Sequence, residues 1–82
     1  MTRIERCLRQ LAKERGPDKT FCPSEAARAV DPQHWRDQMA AVREEAARLV
    51  EAGVLRCTQR GKVVDPQTAR GAIRFAEAEG CQ

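Results

Sequence analysis

Three helical segments followed by a β-hairpin predict a winged helix-turn-helix, a mainly α-helical fold with a small antiparallel sheet. The first observation is an amphipathic pattern over residues 31–53, long enough for the main helix of such a fold. The second is the short, alanine-rich segment before it, which is separated from it only by an abrupt Asp31-Pro32 corner. The third is an alternating segment after Gly53 that turns back on itself.

The size and composition of the chain fit one small domain, 1–82, with an ordered core expected over about 2–76 and a frayed tail over 77–82. A core of this size rarely leaves room for a deep catalytic cleft, and the sequence has no paired-carboxylate, nucleophile or Gly-rich phosphate motif. We therefore expect neither an enzyme nor a cofactor. No bilayer-length apolar run or signal-peptide pattern is visible, which leads us to expect a cytoplasmic protein without membrane contact.

Helix one is predicted from about Thr2 to Arg15. Thr2 and Glu5 have the spacing of a capping box, and Gly16 with Pro17 is a stop signal. Apolar residues share one side of this helix, and the opposite side carries a basic row: Arg3, Arg6, Arg9 and Lys13. We interpret this row as a solvated face in preference to a surface that contacts phosphates.

The helix-turn-helix is predicted next along the chain. A short extended segment, 20–22, leads into helix two, 23–30, which ends before Pro32 because the residue that precedes a proline avoids helical backbone angles. Helix three is predicted to have Asp31 as its N-cap and Pro32 at its first position, and to end at Gly53. One apolar stripe follows its length: Trp35, Met39, Val42, Ala46 and Leu49.

The wing is predicted as a hairpin after helix three. Residues 54–58 alternate as a strand, residues 59–62 supply a turn, and Val63 begins a return strand. A further apolar alternation over 70–75 is expected to pack Ile73 and Phe75 onto the core.

Four cysteines are scattered along the chain without a Cys-x-x-Cys pair, so their spacing does not support a closed zinc site, and a distant constellation with His34, the one histidine, is the less favoured alternative. We expect free thiols, with Cys7, Cys22 and Cys57 as small core residues and Cys81 on the tail. The His34 side chain has no sequence-near partner for acid–base chemistry and is expected to face solvent.

In a DNA-binding winged helix, the exposed start of the second motif helix enters the major groove, and the wing contacts phosphates. If Trp35 and Met39 face the core, polar side chains on the first turns of helix three face outward and can contact base edges. The candidates for base contacts are Gln33, His34 and Gln38, and those for phosphate contacts are Arg56, Arg60 and Lys62. The leading hypothesis is a small DNA-binding protein of transcription-regulator type, with double-stranded DNA as its partner.

The charge distribution leads to a second hypothesis. Residues 31–53 carry a net charge of −2, whereas residues 1–30 carry +3 and residues 54–82 carry +2. On the outward side of helix three, Asp37, Glu44 and Glu51 recur at a heptad spacing, where phosphates would repel them. DNA binding led by the wing is compatible with this pattern. The alternative is a protein–protein interaction module whose acidic helix face docks a basic partner, and the sequence leaves the oligomeric state open.

Three large side chains of helix three are interpreted as structural. Trp35 is expected to anchor the helix pair with a shielded ring, in preference to stacking on a base. Arg36 and Arg43 lie on one flank of the apolar stripe. This placement predicts that each pairs with a carboxylate such as Glu25 or Asp65, a use suited to the planar guanidinium group.

Several short motifs are spread along the chain. They are Thr20-Phe21-Cys22-Pro23-Ser24-Glu25-Ala26-Ala27-Arg28, Trp35-Arg36, Val42-Arg43, Gly61-Lys62 with Asp65-Pro66, and Arg70-Gly71-Ala72-Ile73-Arg74. Together they resemble a small bacterial family of domains of unknown function, over a span from about Ile4 to Phe75. The resemblance implies a compact winged-helix fold without an assigned biochemical role. The Gly-Pro that is usual before the final Ile of the family stands here as Gly71-Ala72.

Overall fold

The computed structural model describes residues 2–78 and contains three helices and a three-stranded antiparallel sheet. The elements follow in the order α1 (Arg3–Arg15), α2 (Pro23–Val30), α3 (Trp35–Glu51), β1 (Leu55–Gln59), β2 (Lys62–Val63) and β3 (Arg74–Glu77). In the sheet, β1 lies between β2 and β3. The predicted helices and small antiparallel sheet are confirmed, and their order is consistent with a winged helix-turn-helix.

Both ends of α1 follow the local signals in the sequence. Thr2 Oγ1 accepts a hydrogen bond from the Glu5 amide at 3.0 Å, which satisfies one of the free N–H groups of the first turn. The Glu5 carboxylate does not complete the capping box, because it pairs with Arg9 Nε at 2.9 Å. Gly16 ends the helix with a positive φ of 77°, which glycine adopts without steric cost.

The start of α3 differs from the prediction. The helix begins at Trp35, and Asp31 is the C-cap of α2, where its N–H donates to Ala27 O at 2.9 Å. The Asp31 carboxylate holds the corner, since Oδ1 accepts hydrogen bonds from the amides of Gln33 at 3.2 Å and His34 at 3.1 Å. Because the backbone of Asp31 already ends one helix, the residues after it are needed to turn the chain before the next helix begins.

The end of α3 is the one predicted at Gly53. Two backbone hydrogen bonds close it, from Gly53 N–H to Val50 O at 3.1 Å and from Val54 N–H to Leu49 O at 2.9 Å. This pair of bonds is a Schellman motif, which requires a left-handed residue, and Gly53 has φ 80°.

The wing is a hairpin with a long return loop. Its tight turn consists of Arg60 and Gly61, whose φ values of 54° and 80° are those a type I′ turn requires. After β2 the chain loops through residues 64–73 before β3 pairs with the other edge of β1. β3 runs to Glu77, one residue beyond the expected end of the ordered core, and residues 79–82 of the predicted tail lie outside the described residues.

Phe75 joins the sheet to the helical layer. On the edge of β3 that faces away from β1, Phe75 exchanges two backbone hydrogen bonds with Phe21, the residue that leads into α2, at 2.7 Å and 2.8 Å. The two rings lie 6.1 Å apart, and both are fully buried. Other large apolar side chains are buried with them: Leu8, Val42, Leu55 and Ile73. The predicted packing of Ile73 and Phe75 onto the core is confirmed.

The cysteines within residues 2–78 are free thiols, as predicted, but they differ in burial. Cys57 belongs to the core, whereas Cys7 and Cys22 are half-buried, so the prediction of three core cysteines is right only for Cys57. Burial raises the pKa of the Cys57 thiol, which keeps it protonated and a poor nucleophile. Cys81 lies outside the described residues.

Residues 2–78 contain neither a cluster of metal-ligating side chains nor a membrane-spanning helix. No group of three His, Cys, Asp or Glu side chains in this range is placed to hold a metal ion. The helices in the same range are too short or too polar to cross a bilayer.

The central position of Phe75 gives a stability prediction. Phe75→Leu is expected to lower the free energy of unfolding by about 2 kcal/mol, because a smaller side chain leaves part of a fully buried site unfilled. Urea denaturation followed by circular dichroism measures the change. Val63→Ala is the control, since Val63 is 77% exposed and its loss is expected to change stability by less than about 0.5 kcal/mol. Equal effects of the two substitutions would contradict the central role of Phe75.

Candidate functional site

A basic groove lies along the wing. Two adjoining cavities, of about 350 Å³ and 420 Å³, share Gln59, Arg60 and Arg70 in their linings. Their basic side chains are all solvent-exposed: Arg60, Lys62, Arg70 and Arg74. None of the residues that line the two cavities is acidic. We call these cavities, with their four cations, the wing groove.

The return loop forms one wall of the wing groove because a single side chain holds it against β1. Gln59 Nε2 donates hydrogen bonds to Arg70 O at 2.5 Å and to Ala72 O at 3.2 Å. Gly71, between these two carbonyl groups, has φ 87°, a backbone conformation that side chains rarely adopt. The loop therefore reverses direction at Gly71, and Arg70 comes to line the same cavities as Arg60.

Arg74 closes the wing groove on the side of α2. Its guanidinium donates to Thr20 Oγ1 at 2.5 Å, to Thr20 O at 3.1 Å and to Cys22 Sγ at 2.8 Å. These bonds fix the plane of the guanidinium and use three of its five N–H groups, so two have no acceptor within residues 2–78. Cys22 is also the N-cap of α2, and the groove therefore reaches the start of that helix.

A second basic cluster lies where α2 meets α3. The guanidinium carbons of Arg28 and Arg36 each lie 4.4 Å from the centroid of the Trp35 ring, which is within cation–π range. Both arginines are exposed, whereas Trp35 is half-buried and packs against the core. Neither guanidinium forms an ion pair with a carboxylate of residues 2–78. We call these three residues the arginine–tryptophan stack.

The predicted ion pairs of Arg36 and Arg43 are wrong within the part of the chain that the structure describes. Glu25 is occupied by Arg15, which reaches it from the end of α1 with an N–O distance of 2.5 Å. Arg36 stacks on Trp35, and Arg43 is half-buried without an ion pair to any described residue. Trp35 packs against the core as predicted, but its ring is only partly shielded from solvent.

Of the three residues predicted to contact bases, two are exposed and one is half-buried. Gln33 and His34 are exposed, but they lie in the corner before α3 and not on its first turn. His34 Nδ1 lies 3.5 Å from the carboxylate of Asp31, which also accepts the His34 amide. Gln38 is half-buried and lines a separate cavity of about 560 Å³ with residues at the start of α1, such as Arg3. Gln38 is therefore not on the exposed side of α3.

Arg56 does not contribute to the wing groove, contrary to the prediction, whereas Arg60 and Lys62 do. The side chain of Arg56 is half-buried and donates a hydrogen bond to the backbone carbonyl of Pro17, in the turn after α1. Its neighbours Leu55 and Cys57 face the core, so the alternation of β1 places Arg56 on the opposite side of the strand, beside that turn.

The outer face of α3 is mixed in charge. Asp37, Glu44 and Glu51 are exposed, as predicted. Arg36, next to Asp37, and Arg48, between Glu44 and Glu51, are also exposed on this helix, so the carboxylates do not form a continuous acidic surface.

One family model, described as "Protein of unknown function (DUF3253)", matches residues 1–78 of the chain. The chain belongs to this family. The match covers nearly the whole sequence and confirms the predicted membership of a family of domains of unknown function. No curated protein matches the chain. Because the description of DUF3253 assigns no role, the function has to be argued from the residues of the site.

Sequence reasoning does not identify Arg28, Arg70 or Arg74 as site residues, although each lies within a motif of the family resemblance. The net charge of +2 over residues 54–82 indicates that this segment is basic, but it does not indicate which of its basic side chains lie close together in the fold. Gly71 is the one local signal that the chain turns between Arg70 and Arg74.

Glu25 connects α1 to the start of α2, next to the wing groove. Its carboxylate accepts Arg15 NH2 at 2.5 Å and the Cys22 amide at 2.8 Å. The Arg15 guanidinium holds the pKa of Glu25 below its usual range, against the opposing effect of burial, and the Cys22 amide acts in the same direction as Arg15. A carboxyl with a lowered pKa in the folded state contributes stability above the pKa of the unfolded state, about 4.3, and loses it as the pH falls through the lowered value.

Glu25→Gln is therefore expected to destabilise the protein more at pH 7 than at pH 3. The effect at pH 7 should be less than about 1 kcal/mol, because the two side chains are 33% and 34% exposed and solvent screens the pair. Urea unfolding of both proteins at the two pH values measures the difference. The same loss of stability at pH 3 and pH 7 would show that the charge of Glu25 does not matter.

Proposed function

We propose that this DUF3253 domain binds the phosphate backbone of double-stranded DNA through the wing groove. The observation that carries the proposal is a groove with four exposed cations and no acidic residue in its lining. Phosphate neutralisation by Lys and Arg, with release of counterions, supplies most of the sequence-independent affinity of proteins for DNA.

The cations of the wing groove suit a chain of phosphates better than a single anion. They are distributed over two adjoining cavities and not gathered around one point. Arginine binds phosphate through the planar fork of its N–H groups, and the fork of Arg74 is already oriented by Thr20 and Cys22. Less conformational freedom is lost on binding when a group is held in place beforehand.

In the proposed binding mode, the protein acts as a transcription regulator that contacts DNA mainly through its wing, because its second motif helix, α3, is acidic. Base contacts would come from Gln33 and His34, which are exposed in the corner before α3. The carboxylates of the outer face of α3 disfavour a mode in which the whole helix lies in the major groove. Arg36 and Arg48 are exposed beside the same carboxylates, so a protein-interaction role for this face has less support than DNA binding by the groove.

The proposal predicts a change in salt dependence when cations of the groove are removed. Arg60→Ala plus Arg70→Ala removes the two that line both cavities. The slope of log affinity against log salt should become shallower by about two, because each lost phosphate contact accounts for about 0.9. Fluorescence anisotropy with a mixed-sequence duplex, measured over a salt series, gives the slope.

The matched control removes the same charge elsewhere. Arg9→Ala plus Arg48→Ala deletes two exposed arginines that pair with Glu5 and Glu45 on their own helices. Its slope should equal that of the unmodified protein. If the unmodified protein binds no duplex at low salt, the proposed function is wrong. If the control variant and the groove variant weaken binding equally, the wing groove is not the DNA-binding site.

A further inference from the structure

We infer that the arginine–tryptophan stack is a second phosphate-contact site for the same DNA duplex. This inference rests on the proposed function, since it assigns a further part of the same interface. The wing groove alone would account for backbone binding, and no residue of the stack lines it.

The charges of the stack have no counterpart within the described residues. Arg28 and Arg36 are exposed, and neither pairs with a carboxylate of residues 2–78. Each guanidinium carbon lies 4.4 Å from the same ring centroid, so the two are separated by no more than twice that distance. Two like charges within this distance repel each other, and an anion beside both of them relieves the repulsion. A phosphate is such an anion.

Stacking on Trp35 leaves the guanidinium groups able to bind a phosphate. A cation–π contact is not a hydrogen bond to an acceptor, and neither arginine side chain donates a hydrogen bond to another described residue, so N–H donors are left for a ligand. The ring therefore limits the motion of both arginines without consuming their donors. Arginines restrained in this way lose less side-chain entropy when they bind than freely moving ones.

The two sites are connected by one rigid element, α2. Cys22, its N-cap, lines the wing groove, and Arg28 lies near its C-terminal end. Six residues of α-helix rise about 9 Å, a length of the same order as the roughly 12 Å width of the DNA major groove. The axial offset between the two sites along α2 is therefore within the span of one duplex.

The test compares Arg28→Ala plus Arg36→Ala with the control Arg9→Ala plus Arg48→Ala in the same anisotropy salt series. The slope of the stack variant should become shallower by about two, and that of the control should not change. Each single variant, Arg28→Ala or Arg36→Ala, should lower the slope by about one, which keeps the test valid if the double variant unfolds. Trp35 is the one tryptophan of the chain, so its emission should also change when the unmodified protein is titrated with duplex.

The outcomes separate the inference from the proposed function. An unchanged slope in the stack variants, with a shallower slope in the Arg60→Ala plus Arg70→Ala variant, would overturn the second site and leave the wing groove in place. Absence of duplex binding by the unmodified protein would overturn both. Shallower slopes in both double variants, with binding lost when the four substitutions are combined, would establish a two-site interface.

Discussion

The pair of backbone hydrogen bonds between Phe21 and Phe75 determines where the rest of the structure lies. These bonds join the segment that leads into α2 to the last strand, at a point that is fully buried. Because neighbouring residues of a strand face opposite sides, Arg74 points away from the core and meets Thr20, the neighbour of Phe21. The basic wall of the wing groove thus depends on two apolar rings that pack beneath it.

The wing groove and the arginine–tryptophan stack are rich in positive charge because several carboxylates of the chain form ion pairs or hydrogen bonds elsewhere. Glu25 binds Arg15 and the Cys22 amide, and thereby connects α1 to α2. Asp31 and Asp65 accept backbone amides of the turns in which they lie. The chain has only a modest net charge of +3, yet four of its exposed cations line a groove that has no acidic residue in its lining. The distribution of charge, more than its total, favours a polyanionic partner.

The elements that depend on local pattern could be predicted from the sequence, and those that depend on distant contacts could not. The apolar stripe of α3 and its Gly53 end are local, and both were predicted correctly. The start of α3 was misplaced because Asp31 also has to end α2. The assignment of Arg56 to the wing surface is wrong because its hydrogen bond to Pro17 joins segments far apart in sequence, which no local pattern indicates. The convergence of cations in the groove likewise requires the loop that Gln59 holds, which no periodicity reveals.

The most direct test of DNA binding by the wing groove is an NMR titration of isotope-labelled protein with a mixed-sequence duplex, following the backbone amides and arginine Nε–H groups. The account predicts that the largest shift changes occur at four residues: Arg60, Lys62, Arg70 and Arg74. The basic row of α1, none of whose residues lines the wing groove, serves as the internal reference. Changes confined to that row or to Asp37, Glu44 and Glu51 of α3 would contradict the account, because the duplex would then bind where the groove is absent.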